Sequence, residues 1–127
     1  MTSVFTNGCF DVIHRGHIEL LKFCKQLGRV TVGLNSDASV SALKGESRPI
    51  FSVNDRREVL LSCKYVDEVI IFEEETPYDL IKQVKPDIIV KGGDYKIKDV
   101  VGNDLAEVKI FNYIPGYSTT KILEESK

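Results

Sequence analysis

The chain has 127 residues, of which 43% are hydrophobic, and a formal net charge of −2 at pH 7. This length suits a single compact domain over residues 1–127, and the near-neutral charge argues against a long nucleic acid as a partner. No stretch approaches the roughly 20 apolar residues of a membrane span, and the N-terminus lacks the features of a signal peptide. With three cysteines, an odd number, these features predict reduced thiols and a cytoplasmic protein.

The first part of the chain predicts a buried strand, a turn and the start of a helix. The strand is expected at residues 3–6. Gly8 would end it, because glycine permits a sharp turn or a close approach of the backbone to a ligand. A helix is expected from about Arg15, since apolar residues recur at helical spacing. These are Leu20, Phe23, Cys24 and Leu27. The first turn of this helix would offer free N–H groups to an anion.

His14 and His17 lie at this helix start, with Gly16 between them. Both imidazoles can therefore face one ligand, and Gly16 has no side chain that would keep a phosphate from the backbone. Imidazole titrates near pH ~6.5, so we expect a phosphate to favour its charged form, which suits phosphoryl or nucleotidyl transfer. Two alternatives stay open. The pair could form a zinc site with Cys9 and Asp11, or either histidine could be a helix cap or a surface residue.

The rest of the chain alternates strands and helices. Strands are expected at residues 30–34, 66–72, 87–90 and 108–111, and helices at 38–43, after Ser52, at 77–84 and from Lys121. Five strands alternating with helices predict a Rossmann-like, doubly wound α/β fold, in which helices cover both faces of a parallel sheet. Such sheets bind ligands beyond the carboxyl ends of their strands, where the strand order reverses.

The helix after Ser52 has an unusual charge pattern. Val59, Leu60 and Cys63 are expected to form its buried face. Arg56 and Arg57 lie in its first turns, where cations oppose the helix dipole by roughly 0.3–1 kcal/mol each. We therefore expect an anionic group near this pair, and the alternative is that at least one of the two arginines is simply solvated.

Several candidate ligand-binding residues follow the predicted strands at the same edge of the sheet. They are Asp37, Lys44, Gly92, Gly93, Asp94, Ser118, Thr119 and Thr120. Each residue also has a plain structural interpretation. Asp37 could bind a ribose hydroxyl or cap a helix, and Lys44 could bind phosphate or face solvent. The glycine pair could lie against a flat ligand or form a turn, and the three hydroxyl residues could bind an anion or cap the last helix.

The segments Gly8-Cys9-Phe10-Asp11, His14-Arg15-Gly16-His17 and Ser118-Thr119-Thr120-Lys121 resemble the cytidylyltransferase-like nucleotidyltransferases. The resemblance covers essentially the whole chain. Within that family, residues 35–40, 44–49 and 91–95 look most like the adenylyltransferase domain that makes ADP-heptose from heptose 1-phosphate. Glycerol-3-phosphate cytidylyltransferase is the next most similar member.

This resemblance implies a role for each matching position. Gly8, Cys9, Phe10, His14 and His17 would hold the nucleotide phosphates, and Ser118, Thr119 and Thr120 would contact the β and γ phosphates. Asp37 and Asp94, with Gly92 and Gly93, would approach ribose or base. Lys44 would act at the reacting centre and with Arg56 on the acceptor phosphate, while Asp11 would orient His14 or a metal or simply be buried.

The resemblance also implies the partners of the protein. They are a nucleoside triphosphate with Mg²⁺ bound through its phosphates and a phosphorylated small-molecule acceptor, and relatives are commonly homodimers. We expect no nucleic acid and no membrane as partner. Two other classes of function stay open: a nucleotide-binding sensor without catalysis, and a zinc-binding structural domain.

Overall fold

The computed structural model describes residues 1–93 and 95–112. In this part of the chain, five strands form one parallel sheet. They are β1 Ser3–Gly8, β2 Arg29–Asn35, β3 Glu68–Phe72, β4 Ile88–Gly92 and β5 Glu107–Phe111. Their order in the sheet is β3-β2-β1-β4-β5. The strand order therefore reverses between β1 and β4, which confirms the predicted Rossmann-like arrangement and locates its ligand-binding edge.

Four helices and one short 3₁₀ turn connect these strands in the described part of the chain. They are α1 Arg15–Leu27, α2 Asp37–Lys44, α3 Val53–Ser62, α4 Tyr78–Val84 and the 3₁₀ turn Ile97–Asp99. The predicted strands and these helices are confirmed with boundaries shifted by one or two residues. The last predicted helix, from Lys121, lies outside the described residues. Within the described residues, no helix combines the length and apolarity that a membrane crossing needs.

Hydrophobic cores lie on both faces of the sheet. Successive residues of a strand point to opposite faces, and Val4 and Phe5 of β1 belong to two different apolar clusters. The Val4 cluster contains residues of α1 and α3, whereas the Phe5 cluster contains residues of α4. Helices therefore cover both faces, as predicted, and three residues of β4 are buried between them: Ile88, Ile89 and Val90.

The buried face of α3 differs from the prediction. Leu60 is fully buried and Cys63 packs against the same core, but the Val59 side chain is 51% exposed. Arg56 is buried instead, one helical turn before Leu60. The prediction for Val59 was wrong because an apolar pattern cannot reveal that a charged side chain belongs to the buried stripe.

Candidate active site

The main cavity opens where β1 and β4 end, and its volume is about 640 Å³. Seven residues that the sequence predicts as site residues line it: Gly8, Cys9, Phe10, His17, Lys44, Gly92 and Gly93. Asn7, Leu20, Asn35, Leu43, Glu75, Thr76, Pro77, Lys91, Tyr95 and Val101 complete the lining in the described part of the chain. The cavity therefore lies at the reversal of strand order, where parallel α/β sheets bind their ligands.

The two histidines stack on each other at the start of α1. Their ring centroids lie 3.9 Å apart, and the rings are tilted by 31°. His14 is the N-cap residue, and its Nδ1 accepts a hydrogen bond of 3.0 Å from the Gly16 N–H. His17 Nδ1 accepts a hydrogen bond of 3.2 Å from the His14 N–H. The pair thus forms a reciprocal capping box, so the structural interpretation as helix cap holds alongside any ligand contact.

These hydrogen bonds fix the protonation of the rings. A ring nitrogen that accepts a hydrogen bond carries no proton, so a neutral ring must carry its proton on Nε2 and can donate from there. Burial lowers the pKa of His14. Burial, followed by the charge of His14 and of Lys44, lowers the pKa of His17 to about 4. This geometry by itself favours two neutral imidazoles that donate through Nε2, and the charged form that we expect beside a phosphate stays a prediction.

Phe10 supports the histidine pair from the loop after β1. Its φ of 47° lies in the left-handed region, which is uncommon for a residue other than glycine. Its side chain is only 5% exposed, and its ring centroid lies 5.2 Å from that of His17. A Cβ at Gly8 would lie 3.1 Å from the Phe10 ring, so glycine makes room for the ring at the end of β1.

Asp11 ties the loop between α2 and α3 to the loop after β1. Its carboxylate accepts hydrogen bonds from Arg48 Nε at 2.7 Å and from the backbone N–H groups of Ile50 and Phe51 at 2.7–2.9 Å. Burial raises the pKa of Asp11, but these hydrogen bonds outweigh it, and the pKa lies below its usual value. Asp11 is thus buried, as its structural interpretation predicts, and it stays ionised because of the loop that follows Lys44.

Arg56 is a buried cation whose hydrogen bonds are made within the protein. Its guanidinium donates to the carbonyl oxygens of Cys9, Asn35 and Phe51 at 2.7–3.0 Å and to the carboxylate of Asp37 at 2.8 Å. The side chain is 1% exposed. The expected anionic group near an arginine is therefore Asp37. The predicted contact of Arg56 with an acceptor phosphate has no support from this geometry, in which Arg56 links the loop after β1, the junction of β2 and α2, and the loop before α3.

Asp37 lies outside the cavity lining that the structure describes, and its side chain is 48% exposed beside Arg56. Ser36, not Asp37, caps α2, since its hydroxyl accepts a hydrogen bond of 3.2 Å from the Ser39 N–H. The interpretation of Asp37 as the cap was therefore wrong. Its predicted contact with ribose stays a prediction.

Lys44, Gly92 and Gly93 lie at the rim of the cavity as expected. Lys44 is the last residue of α2, where its charge suits the helix dipole, and it is close enough to His17 to lower that pKa. Gly93 has a φ of 114°, which only glycine adopts readily. The predicted site residues Asp94, Ser118, Thr119 and Thr120 lie outside the described residues.

The sequence analysis missed Asn7, Asn35 and Lys91 as cavity residues. They occupy equivalent places, at or next to the carboxyl ends of β1, β2 and β4. A rule that flags the last polar residues of each buried parallel strand would have found all three.

No group of three or more His, Cys, Asp or Glu residues that could hold a metal ion occurs among residues 1–93 and 95–112. Cys9 lines the cavity, and burial raises the pKa of its thiol although Lys44 and Arg56 oppose this. The described residues therefore give no support to the zinc alternative with Cys9 and Asp11.

The fold and the cavity define an α/β protein of the Rossmann-like class with its site at the switch point of the sheet. Residues 5–125 match the Cytidylyltransferase-like family. The chain belongs to this family, and it is a nucleotidyltransferase.

Individual relatives agree with this assignment. The chain is 58% identical over 126 residues to "Bifunctional protein HldE" of a Nitratiruptor species, covering 98% of this chain and 27% of the relative. It is 54% identical over 123 residues to the protein of the same name from Aliarcobacter butzleri, covering 95% of this chain and 26% of the relative. The chain thus spans about a quarter of the length of these curated relatives. Among solved structures, the lipopolysaccharide core biosynthesis protein from Thermoplasma volcanium is similar with a TM-score of 0.72 and 33% identity, covering 90% of this chain and 97% of the other.

Proposed function

We propose that this nucleotidyltransferase moves the adenylyl group of ATP onto heptose 1-phosphate, giving ADP-heptose and pyrophosphate. The identity of the substrates is supported by the resemblance of the segments at residues 35–40, 44–49 and 91–95 to heptose 1-phosphate adenylyltransferases. It is also supported by the similarity to proteins named HldE and to a lipopolysaccharide core biosynthesis protein.

The observation that carries the proposal is the stacked histidine pair beside Lys44. Because both Nδ1 atoms accept backbone hydrogen bonds, each neutral ring presents Nε2–H as a donor. His17 lines the cavity together with Lys44. Donors fixed in this way can stabilise the negative charge that develops on phosphate oxygens without moving during the reaction.

The proposed reaction needs no general base. A phosphate monoester has its second pKa near ~6, so an oxygen of the acceptor phosphate is already an anion at pH 7. This oxygen forms a bond to the α-phosphorus of ATP while the bond from that phosphorus to the β-phosphate oxygen breaks, and pyrophosphate leaves with the electron pair. The protein has to offset repulsion between two polyanions, which His14, His17 and Lys44 do by donating hydrogen bonds.

Magnesium enters this proposal as part of the substrate. The nucleotide would arrive as its Mg²⁺ complex, in which the phosphates supply the ligands. We also propose that the nucleotide is contacted by Asp94, Ser118, Thr119 and Thr120. The protein is further proposed to form a homodimer.

The direct test offers ATP or CTP to the protein, each with heptose 1-phosphate or glycerol 3-phosphate, and follows pyrophosphate release. We expect turnover with ATP and heptose 1-phosphate. Turnover only with CTP and glycerol 3-phosphate would replace this substrate assignment with that of the cytidylyltransferase. Nucleotide binding without pyrophosphate release from any pair would favour a sensor.

The role of the histidines is tested with His17→Ala. Losing one well-aimed donor costs roughly 10²–10³ in rate, so we expect pyrophosphate release to fall by about that factor in a folded protein. Lys22→Ala is the matched control, because Lys22 is an exposed residue of the same helix. Turnover of His17→Ala close to that of the control would remove the histidine role.

A further inference from the structure

Lys91 lies in the cavity on the side opposite α1. It is the residue before the last in β4, two positions after Ile89, which pairs with Phe5 in the sheet. Side chains two apart on a strand share a face, so Lys91 lies on the face of Ile89 and Phe5, which α4 covers. Asn7 lies at the equivalent place on β1, and both residues line the cavity.

Lys91 is half-buried, whereas Glu75, the carboxylate-bearing residue of the same described lining, is exposed and forms no ion pair with it. No carboxylate among residues 1–93 and 95–112 forms an ion pair with it. Its Nζ lies 4.9 Å from the centroid of the Tyr95 ring, a cation–π contact that does not neutralise the charge. Burial lowers the pKa of Lys91, and Cys9, which opposes this, holds a thiol whose own pKa burial raises.

Such a charge has an energetic cost that the described part of the chain does not offset. Removing an ammonium from water is unfavourable unless a counterion or hydrogen bonds replace its hydration. Every other residue of the described lining that carries a formal charge is exposed: Lys44 and Glu75. A retained, partly desolvated cation that faces a cavity indicates that a ligand supplies the missing anion.

The described lining of the cavity thus places one lysine on each side, and its one carboxylate is that of the exposed Glu75. One wall carries His17 on α1 with Lys44 beside it, and the other carries Lys91. A reaction between two phosphate-bearing substrates needs two anion subsites. The histidine wall matches the triphosphate in the proposed function, which leaves the Lys91 wall for the second substrate.

We propose that Lys91 binds the phosphate group of the acceptor, a phosphate monoester, next to the neutral polar residues Asn7 and Thr76. This inference rests on the proposed function. Its physical basis is that the acceptor must come close to a triphosphate of like charge, and a cation on its own side of the cavity offsets that repulsion. The sequence analysis predicted Lys44 and Arg56 for this phosphate, and in this proposal Lys91 makes the contact that was predicted for Arg56.

The test separates the two substrates kinetically. Lys91→Met removes the charge and keeps a long apolar stem. Lys91→Arg keeps the charge, and Lys98→Met makes the same change at an exposed lysine of the 3₁₀ turn. Pyrophosphate release is measured while heptose 1-phosphate is varied at saturating ATP, and then while ATP is varied at saturating heptose 1-phosphate.

For Lys91→Met we expect the KM of the acceptor to rise roughly 10- to 100-fold, as for the loss of one hydrogen bond to a charged group, while the KM of ATP changes less than about twofold. Lys91→Arg recovers part of this loss, and Lys98→Met behaves as the unaltered protein. An unchanged acceptor KM, or a larger rise in the KM of ATP than of the acceptor, would overturn the proposal.

A binding measurement tests the Lys91 subsite independently of whether the proposed reaction takes place. Calorimetry compares the binding of heptose 1-phosphate and of glycerol 3-phosphate to the unaltered protein and to Lys91→Met. If the unaltered protein releases no pyrophosphate, the proposed function fails, yet weaker binding of either phosphate by Lys91→Met still supports the Lys91 subsite. Equal binding by the two proteins, or binding by neither, overturns it.

Discussion

Arg56 and Lys91 are both cations near the carboxyl end of the sheet, and the protein surrounds them in opposite ways. Four oxygen acceptors from the protein meet the Arg56 guanidinium, which is 1% exposed. Lys91 has no carboxylate partner in the described part of the chain and faces the cavity. A buried cation that the protein itself satisfies serves the fold, whereas one that it leaves unsatisfied is available to a ligand.

The largest fall in the free energy of unfolding is expected from Arg56→Met. This change strips three carbonyl oxygens and the Asp37 carboxylate of their donor. We expect the free energy of unfolding to fall by about 3–5 kcal/mol, because each buried carbonyl oxygen left without its donor costs roughly 1–3 kcal/mol. Urea denaturation measures this.

Arg57→Met is the matched control for Arg56→Met. Arg57 is the next residue of α3, and its side chain is 46% exposed. Surface changes of this kind usually stay within about 0.5 kcal/mol. Equal losses for the two arginines would show that burial and hydrogen bonding do not explain the role of Arg56.

Asp11→Asn is expected to have the next largest effect. The carboxylate is 3% exposed and accepts hydrogen bonds from Arg48 and from the backbone of Ile50 and Phe51. Losing the charge should cost about 2 kcal/mol. Asp55→Asn, which changes an exposed carboxylate at the start of α3, is the control.

The Asp11 contribution should depend on pH in a defined direction. Because the folded protein holds the pKa of Asp11 below its usual value, the contribution is present above the unfolded pKa of about 4 and is lost as pH falls through the folded pKa. Urea denaturation of the unaltered protein and of Asp11→Asn at a series of pH values measures this contribution. A stability difference that stayed constant down to the folded pKa would contradict this origin.

His17 illustrates a third arrangement of a basic group, since it is partly buried and stays neutral. The folded pKa is about 4 against a usual value of 6.5, so the unfolded chain binds a proton that the folded one does not. Its contribution to stability is complete above pH 6.5 and is lost as pH falls toward 4. We expect a loss of about 1 kcal/mol between pH ~7 and ~5.5 from this group.

His17→Gln isolates that contribution. Glutamine at this position of a capping box can still accept the hydrogen bond from the N-cap N–H but does not titrate. Urea denaturation at both pH values should therefore show a smaller acid loss in His17→Gln than in the unaltered protein. An equal loss in the two proteins would place the acid sensitivity elsewhere.

The fold was predictable from the sequence because its signals are local. Apolar runs identified all five strands, and the spacing of Leu20 and Cys24 identified α1. The assignment of Val59 to the buried face failed because it depends on contacts of Arg56 with residues from other parts of the chain. Val59 was placed in the core because nothing local shows that Arg56 takes the buried position on α3 and finds acceptors 5–47 residues away in sequence.

The site was predictable only where a motif carries it. The histidine pair and the glycines lie where the pattern places them. The protonation of the rings was not predictable, because it follows from which nitrogen accepts the backbone hydrogen bond. Lys91 was missed because the sequence analysis did not consider the last polar residue of β4, and its lack of an ion pair with the described residues shows only in the structure.

The smallest change in the free energy of unfolding is expected from Lys91→Met. If the charge of Lys91 is reserved for a ligand, removing it should leave the free energy of unfolding within about 0.5 kcal/mol or raise it slightly, since a desolvated charge is lost. Added inorganic phosphate should then stabilise the unaltered protein more than Lys91→Met, because a ligand that binds only the folded state raises its stability. Urea denaturation with and without phosphate measures both. A loss above about 1 kcal/mol without phosphate would mean that Lys91, like Arg56, has a partner within the protein.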